Sequence, residues 1–372
     1  MHKVNLPPPT IEGDLWTLLS KTEKPLVVYG MGNGADKLIE RLSLVGKAVD
    51  DFFASDDFVR GQSFHGKRVL SFAEIKEKYQ DFIILVSFGS SLPSVREAVE
   101  ALAEENELYI PDMPIAGEEY FTAEFYKAHY DDFVRAYALF TEEASQNIYA
   151  NLLWYKLTGV PSYLWAAAQT GDERALLGYG EMKCAVDVGA YRGDTLKELL
   201  DFCPNLKTVF AIEPDPKNFA RLSAYAQTAE EKEIVALHAA AWSEDGELCF
   251  SSSGNRNAAL GGKDEKIAGS ASYKSREVTV ATVCLDGVLK DRDVSYIKYD
   301  TEGAELAALL GSTVTIKTQA PALRVSVYHR SEDLFALPLW LYGVAGETYS
   351  YYLRRKPTFP AWDCELIAVP KQ

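Results

Sequence analysis

Long apolar runs are missing from this chain. No stretch approaches the roughly 18–20 apolar residues of a membrane span, and Met1-His2-Lys3-Val4-Asn5 lacks the apolar core of a secretion signal. The expectation is a soluble, cytoplasmic protein with no membrane partner. Positive charge is also short: 38 Lys and Arg face 54 Asp and Glu, leaving a net charge of −16. Affinity for a phosphate backbone needs clustered cations, and Arg354-Arg355-Lys356 is too short a run to supply them. No nucleic-acid partner is expected. Cysteine is sparse: Cys184, Cys203, Cys249, Cys284 and Cys364 are scattered, odd in number and without CxxC spacing. That excludes a disulfide framework and a zinc cluster, and fits reduced thiols used as small core residues. Of the five histidines, His2, His65 and His129 have no chemical context around them.

What the chain does have is core-forming material. Of its 372 residues, 47% are hydrophobic and 12% aromatic. Single cores rarely grow past ~250–300 residues, so more than one unit is expected. Strand and helix patterns alternate in two places, which predicts an α/β protein. Its parts are a lead-in at 1–20, a small Rossmann-like unit at 21–111, a helical connector at 112–180 and a larger unit at 181–372. The larger sheet should be mostly parallel with an antiparallel edge, formed by Thr348–Arg354 and Cys364–Pro370.

The stretch Cys184-Ala185-Val186-Asp187-Val188-Gly189-Ala190-Tyr191-Arg192-Gly193-Asp194-Thr195 organises the second half. It reads as a buried strand, a tight turn and the start of an amphipathic helix. Glycine lets the backbone approach a ligand, and the helix start offers unpaired N–H groups to an anion. Asp187 is expected to order the turn, with Asp194 or Thr195 capping the helix. A second strand, Val209–Ile212, ends at Glu213, 24 positions past Gly189. An acid there can accept from ribose hydroxyls. This pattern alone leaves NAD, FAD and S-adenosylmethionine open. Asp215-Pro216 should start the next helix. After a third strand at Ile234–Leu237, Ala241 and Trp242 sit where an adenine would lie. Phe250–Tyr273 is polar and Gly/Ser-rich, either a lid over the site or a surface excursion.

Three segments, VDVGAYRGDT, IEPDP and IKYDTEGAEL, resemble the FkbM-type family of methyltransferases over roughly residues 181–369. The resemblance implies S-adenosylmethionine as cofactor, held by Asp187, Gly189, Ala190, Tyr191, Gly193, Asp194, Thr195, Glu213, Ala241, Trp242 and Asp300. It also implies methyl transfer to a hydroxyl oxygen, with a sugar, glycan or other polyhydroxylated small molecule as acceptor.

Such a transfer needs the acceptor oxygen held in line and its proton removed. Lys298 and Asp300 are two apart on one strand, share a face, and lie at the carboxyl end of the sheet. Asp300 can orient the acceptor or take the cofactor's amino group; Lys298 can keep Asp300 ionised or steady an oxyanion. Glu302 divides between catalysis and capping, and Glu305 reads as structural. His329 ends the following strand, where a neutral imidazole would suit a general base and a core histidine is the alternative. Asp300, Glu302 and His329 could together hold a divalent cation, but no metal is expected.

The first half offers a second reading. Gly30-Met31-Gly32-Asn33-Gly34-Ala35 follows a strand, with Asp50 about 20 residues on, as in a weak dinucleotide site. An oxidoreductase or epimerase-like protein using NAD(P) or a sugar nucleotide is therefore an alternative, and a non-catalytic binding or assembly module is another. Homo-oligomer formation through this unit is also open. In the connector, Tyr120, Phe121, Phe125, Tyr126, Tyr130 and Phe133 recur at roughly helical spacing. They read either as packing between units or as an aromatic wall over the acceptor.

Overall fold

The computed structural model describes residues 4–229, 232–252 and 276–371. Its first sheet contains β1 (Leu26–Tyr29), β2 (Asp51–Phe53), β3 (Ile83–Val86) and β4 (Glu107–Tyr109), in the order β2-β1-β3-β4 and all parallel. Every residue of β1 and β3 is buried, as expected for strands covered on both faces. Helix α1 (Asn33–Leu44) follows β1.

The glycines of the first turn have a packing reason. A Cβ on Gly34 would sit 1.9 Å from the Ser87 carbonyl oxygen, and one on Gly30 would meet Phe88 and Ser87 at 2.8 Å. Asp50 lies at the other end of the sheet from that turn, where its carboxylate accepts from the Leu26 N–H at 2.8 Å. The sequence expectation of a ribose acid at Asp50 is therefore corrected: it precedes β2 instead of ending it.

The connector is helical. Helix α2 (Glu143–Thr158) is buried nearly all round, the mark of a central helix. Its Lys156 ammonium pairs with Asp112 at 2.7 Å, both buried. The connector's first helical stretch is broken at His129, giving Ala123–Ala128 and Tyr130–Leu139. The His129 ring there stacks on Phe335 at 4.9 Å. Phe121, Phe125, Tyr126 and Phe133 are buried against one another. They are core residues, and the aromatic-wall reading is set aside.

The second sheet has seven strands. They are β5 (Cys184–Val188), β6 (Thr208–Ile212), β7 (Glu233–Leu237), β11 (Tyr296–Tyr299), β12 (Ala322–Ser326), β13 (Tyr349–Arg355) and β14 (Cys364–Pro370). The order is β13-β14-β12-β11-β5-β6-β7, with β14 antiparallel to both neighbours and the other pairs parallel. This is a Rossmann-like α/β sheet with the expected antiparallel edge. Helices α3 (Asp194–Phe202), α4 (Pro216–Ala226), α5 (Glu305–Leu310) and α6 (Asp333–Ala345) accompany it.

Between β7 and β11 the chain builds a small sheet from β8 (Ala240–Trp242), β9 (Gly246–Ser252) and β10 (Arg276–Cys284), in the order β8-β10-β9. The polar excursion expected from Phe250 thus begins inside a strand. The rest of the lid candidate, 253–273, lies outside the described residues. One hydrophobic cluster runs from Val27 and Ile84 through Tyr149 and Leu153 to Val186, Ile297 and Val325, so both large sheets share a core. Among the described residues, no helix is long and apolar enough to cross a membrane.

Candidate active site

Two turns meet at the carboxyl ends of β5 and β11. Gly189 has φ +83°, and a Cβ there would lie 1.8 Å from the Asp300 carbonyl oxygen. Only glycine lets the two strand ends approach this closely. Tyr191 (φ +49°) and Glu302 (φ +54°) also hold left-handed backbone without being glycine, and such strain gathers at functional sites. Gly193 occupies the N-cap of α3. Asp194 therefore opens the helix instead of capping it, and the Thr195 hydroxyl accepts from Lys298 Nζ at 3.0 Å. Neither fills the cap expected of it.

Glu213 turns toward the first of these turns. Its Oε2 accepts from the Tyr191 N–H and its Oε1 from the Asp215 N–H, each at 2.8 Å. Burial pushes its carboxyl up to about 7, although both N–H groups favour the charged form. Asp215 caps α4 by accepting from the Lys217 and Asn218 N–H groups, with Pro216 at the first helical position, as its sequence predicts.

A cleft of about 320 Å³ runs over these residues. One end is lined by Gly189, Tyr191, Ile212, Glu213, Asn218 and the small side chains Ala239, Ala240 and Ala241. The middle holds Asp194, Thr195, Lys298, Asp300, Thr301 and Glu302. The far end is charged, with Glu198, Arg324, Tyr328, Lys356, Asp363 and Glu365. Three residues expected to contact the cofactor are not part of this lining. Asp187 and Ala190 are fully buried, and Trp242 packs with Ala240, Val280 and Leu248.

Beneath the cleft, the strand register sets Asp187, Lys298 and Arg324 side by side on β5, β11 and β12. Lys298 Nζ lies 3.2 Å from Asp300 Oδ2 and 3.8 Å from Asp187 Oδ1. Burial raises the Asp187 carboxyl to about 6 against the pull of Lys298. Burial would raise Asp300 too. There the Lys298 ammonium, His329 and the Ser326 hydroxyl prevail, holding Asp300 well below the usual carboxylate range.

Behind the second turn sits His329, fully buried. Its Nδ1 is 2.9 Å from Glu305 Oε1, out of line for a hydrogen bond; Nε2 is 3.6 Å from Glu302 and 3.7 Å from Asp300. Burial opposes a charged imidazole, but the three carboxylates outweigh it and push His329 up to about 10. These carboxylates favour the charged ring over the neutral base expected at His329. Glu305 Oε1 accepts from the Thr301 N–H at 2.7 Å and the Thr301 hydroxyl at 3.0 Å, tying down the turn.

Sequence reading missed the far end of the cleft. Arg324 did leave a signal, as a cation inside the apolar strand Ala322-Leu323-Arg324-Val325. It pairs with Glu365 at 2.8 Å across to β14. Lys356, Asp363 and Glu365 carried none, because only the edge hairpin folds them back over the cleft.

Residues 187–351 match the family model described as the methyltransferase FkbM domain. The crystal structure of a methyltransferase FkbM from Methylobacillus flagellatus KT aligns over 98% of this chain and 94% of its own, at TM-score 0.69 and 19% identity. At that identity the likeness concerns the fold, and it extends through the first sheet and the connector. An rRNA methylase from Streptococcus thermophilus covers 54% of this chain and 92% of its own at TM-score 0.34 and 10% identity. Fibrillarin from Aeropyrum pernix, solved with bound S-adenosyl-L-methionine, covers 51% of this chain and 68% of its own at TM-score 0.32 and 9% identity. A search of curated proteins finds no match.

Proposed function

The chain carries an FkbM methyltransferase domain, and from that premise we propose that it moves a methyl group from S-adenosylmethionine to a hydroxyl oxygen of a sugar or another polyhydroxylated metabolite. The observation that carries the reading is Glu213: a buried carboxylate turned into the cleft under the Gly189–Tyr191 turn, with three alanines beside it. A carboxylate so desolvated gains from new hydroxyl donors, and a ribose supplies two. The alanines leave room for a flat ring.

The cofactor supplies an electrophilic methyl on a sulfonium sulfur. Glu213 would hold its ribose, the Gly189–Tyr191 backbone would pass close to it, and Ala239–Ala241 would border the adenine. Asp300, kept ionised by Lys298, would accept from the acceptor hydroxyl and aim its oxygen. Glu302, at the cleft, would take the proton. Lys298 supplies positive charge beside the developing negative oxygen. Sugar hydroxyls suit the charged far end, where Arg324, Lys356, Asp363 and Glu365 offer both donors and acceptors.

Isothermal titration tests the reading directly. S-adenosylmethionine should bind and NAD should not; the reverse result would end the proposal. Affinity should also depend on pH. Glu213 titrates near 7, so its ionised fraction falls about tenfold between pH 8 and pH 6, and cofactor affinity should weaken by a similar factor. The sign follows from the raised value: ionising Glu213 costs the cofactor-free fold stability as pH climbs past 4.5 toward 7, and bound hydroxyls offset that cost. Glu213→Gln should bind weakly and flatten the profile.

A further inference from the structure

The two cleft residues on the edge hairpin, Lys356 and Asp363, are held from outside their own sheet. We propose that the first unit serves the acceptor: the carboxyl edge of its sheet grips the hairpin between β13 and β14, and the grip positions Lys356 and Asp363 at the far end of the cleft. That these two meet an acceptor rests on the methyl-transfer reading; the grip itself does not.

The order β2-β1-β3-β4 reverses at β1. The crevice where an open α/β sheet takes a ligand therefore lies between the carboxyl ends of β1 and β3. Here the chain's own hairpin docks at that place. The Phe88 ring, just past β3, packs edge-on to Tyr29 of β1 at 4.9 Å and meets the Phe359 ring at 5.7 Å. Ser90 and Phe359 exchange both backbone hydrogen bonds, at 2.9 and 3.1 Å, one rung of an antiparallel ladder between the units. A Cβ on Gly89 would lie 2.3 Å from the Trp362 ring and 2.9 Å from the Phe359 carbonyl oxygen.

Hairpin tips are ordinarily exposed, yet Phe359 at this tip is fully buried. The connector closes the socket from the other side. Trp165 packs edge-on to Phe359 at 5.8 Å. The Arg355 guanidinium donates to the Leu164 carbonyl at 2.9 Å and to the Thr358 carbonyl. Within the hairpin the Lys356 N–H donates to the Asp363 carbonyl at 3.2 Å, so the two residues that line the cleft stand directly below the gripped tip. Phe359 and Gly89 are thus positioning residues. A displacement of about 1 Å at such a wall is enough to misplace a bound reactant, whereas Gly189 and Glu213 belong to other strands and keep their places.

Two variants loosen the grip from opposite sides: Phe359→Ala empties the socket, and Gly89→Val pushes the hairpin away. In the full-length protein, hydrogen exchange should run about tenfold faster at amides 355–364 in both, with β5 and β11 unchanged. S-adenosylmethionine affinity should stay within about twofold of wild type. With methyl α-glucoside and myo-inositol as probes, transfer of labelled methyl should show KM raised about fivefold and kcat held. Phe359→Leu, which keeps an apolar side chain in the socket, should recover most of that loss. Unchanged exchange at 355–364, an unchanged KM, or cofactor affinity falling in step would overturn the grip. If Phe359→Ala fails to fold, Gly89→Val carries the test, since Gly89 is exposed. NAD binding alongside S-adenosylmethionine would put a nucleotide in the crevice and defeat the grip alone. A wild type that binds no S-adenosylmethionine defeats the methyl-transfer reading instead; there, or where neither probe is methylated, exchange at 355–364 decides the grip.

Discussion

Gly189→Ala should cost about 3 kcal/mol of stability and remove measurable cofactor binding. Two effects add at this position. An L-residue at φ +83° carries left-handed strain of roughly 1–2 kcal/mol. The new methyl would also lie 1.8 Å from the Asp300 carbonyl oxygen. That oxygen is backbone, so the clash can be relieved only by parting the ends of β5 and β11, which are also the two walls of the cleft. Gly32→Ala is the matched control. It carries φ +95° with nothing within 4 Å of the added carbon, so it should show only the strain, roughly 1–2 kcal/mol. Urea unfolding of the two variants, with cofactor titration on each, checks both parts. Equal losses would mean that close strand approach contributes nothing.

Lys298→Met should be nearly as damaging, about 3–5 kcal/mol, because it strips the counter-charge from a buried carboxylate. Asp187 is fully buried, neither of its oxygens has a hydrogen-bond partner, and Lys298 lies 3.8 Å away. Asp300 loses the same cation but reaches the cleft, where water can hydrate it. Two companion measurements distinguish a charge effect from a packing effect. Adding Asp187→Asn to Lys298→Met should recover much of the loss, since replacing both members of a buried pair is often close to neutral. The deficit of the single variant should also narrow as pH falls from 7 toward 4. Without the ammonium, Asp187 avoids a buried charge by taking up a proton, and that uptake becomes easier as pH falls below its raised folded value. A deficit independent of pH and not rescued by the double change would assign Lys298 a packing role only.

These two residues also mark what was readable in advance. Local order determined the strand-turn-helix units: a buried run such as Cys184–Val188, a glycine turn and an Asp-Pro helix start each depend on residues adjacent in the chain. The acid at Glu213 belonged to the same local grammar, and so did the pairing of Lys298 with Asp300 across one intervening residue. The first glycine turn misled for the same reason. Its spacing matched a dinucleotide site, but whether Asp50 ends β2 or precedes it depends on strand register, and register is set by packing.

The amino-acid sequence by itself determined the α/β class, the position of both turns and the acid that faces the cleft, because strand period, glycine freedom and helix caps act over a few residues. Only the tertiary structure decided that Asp187 lies behind Lys298 instead of in the cleft, and that Arg324 and Glu365 share its far end. It alone decided that His329 sits among three carboxylates. Those outcomes depend on which strands become neighbours, and the charge state of a buried group follows from every element packed against it.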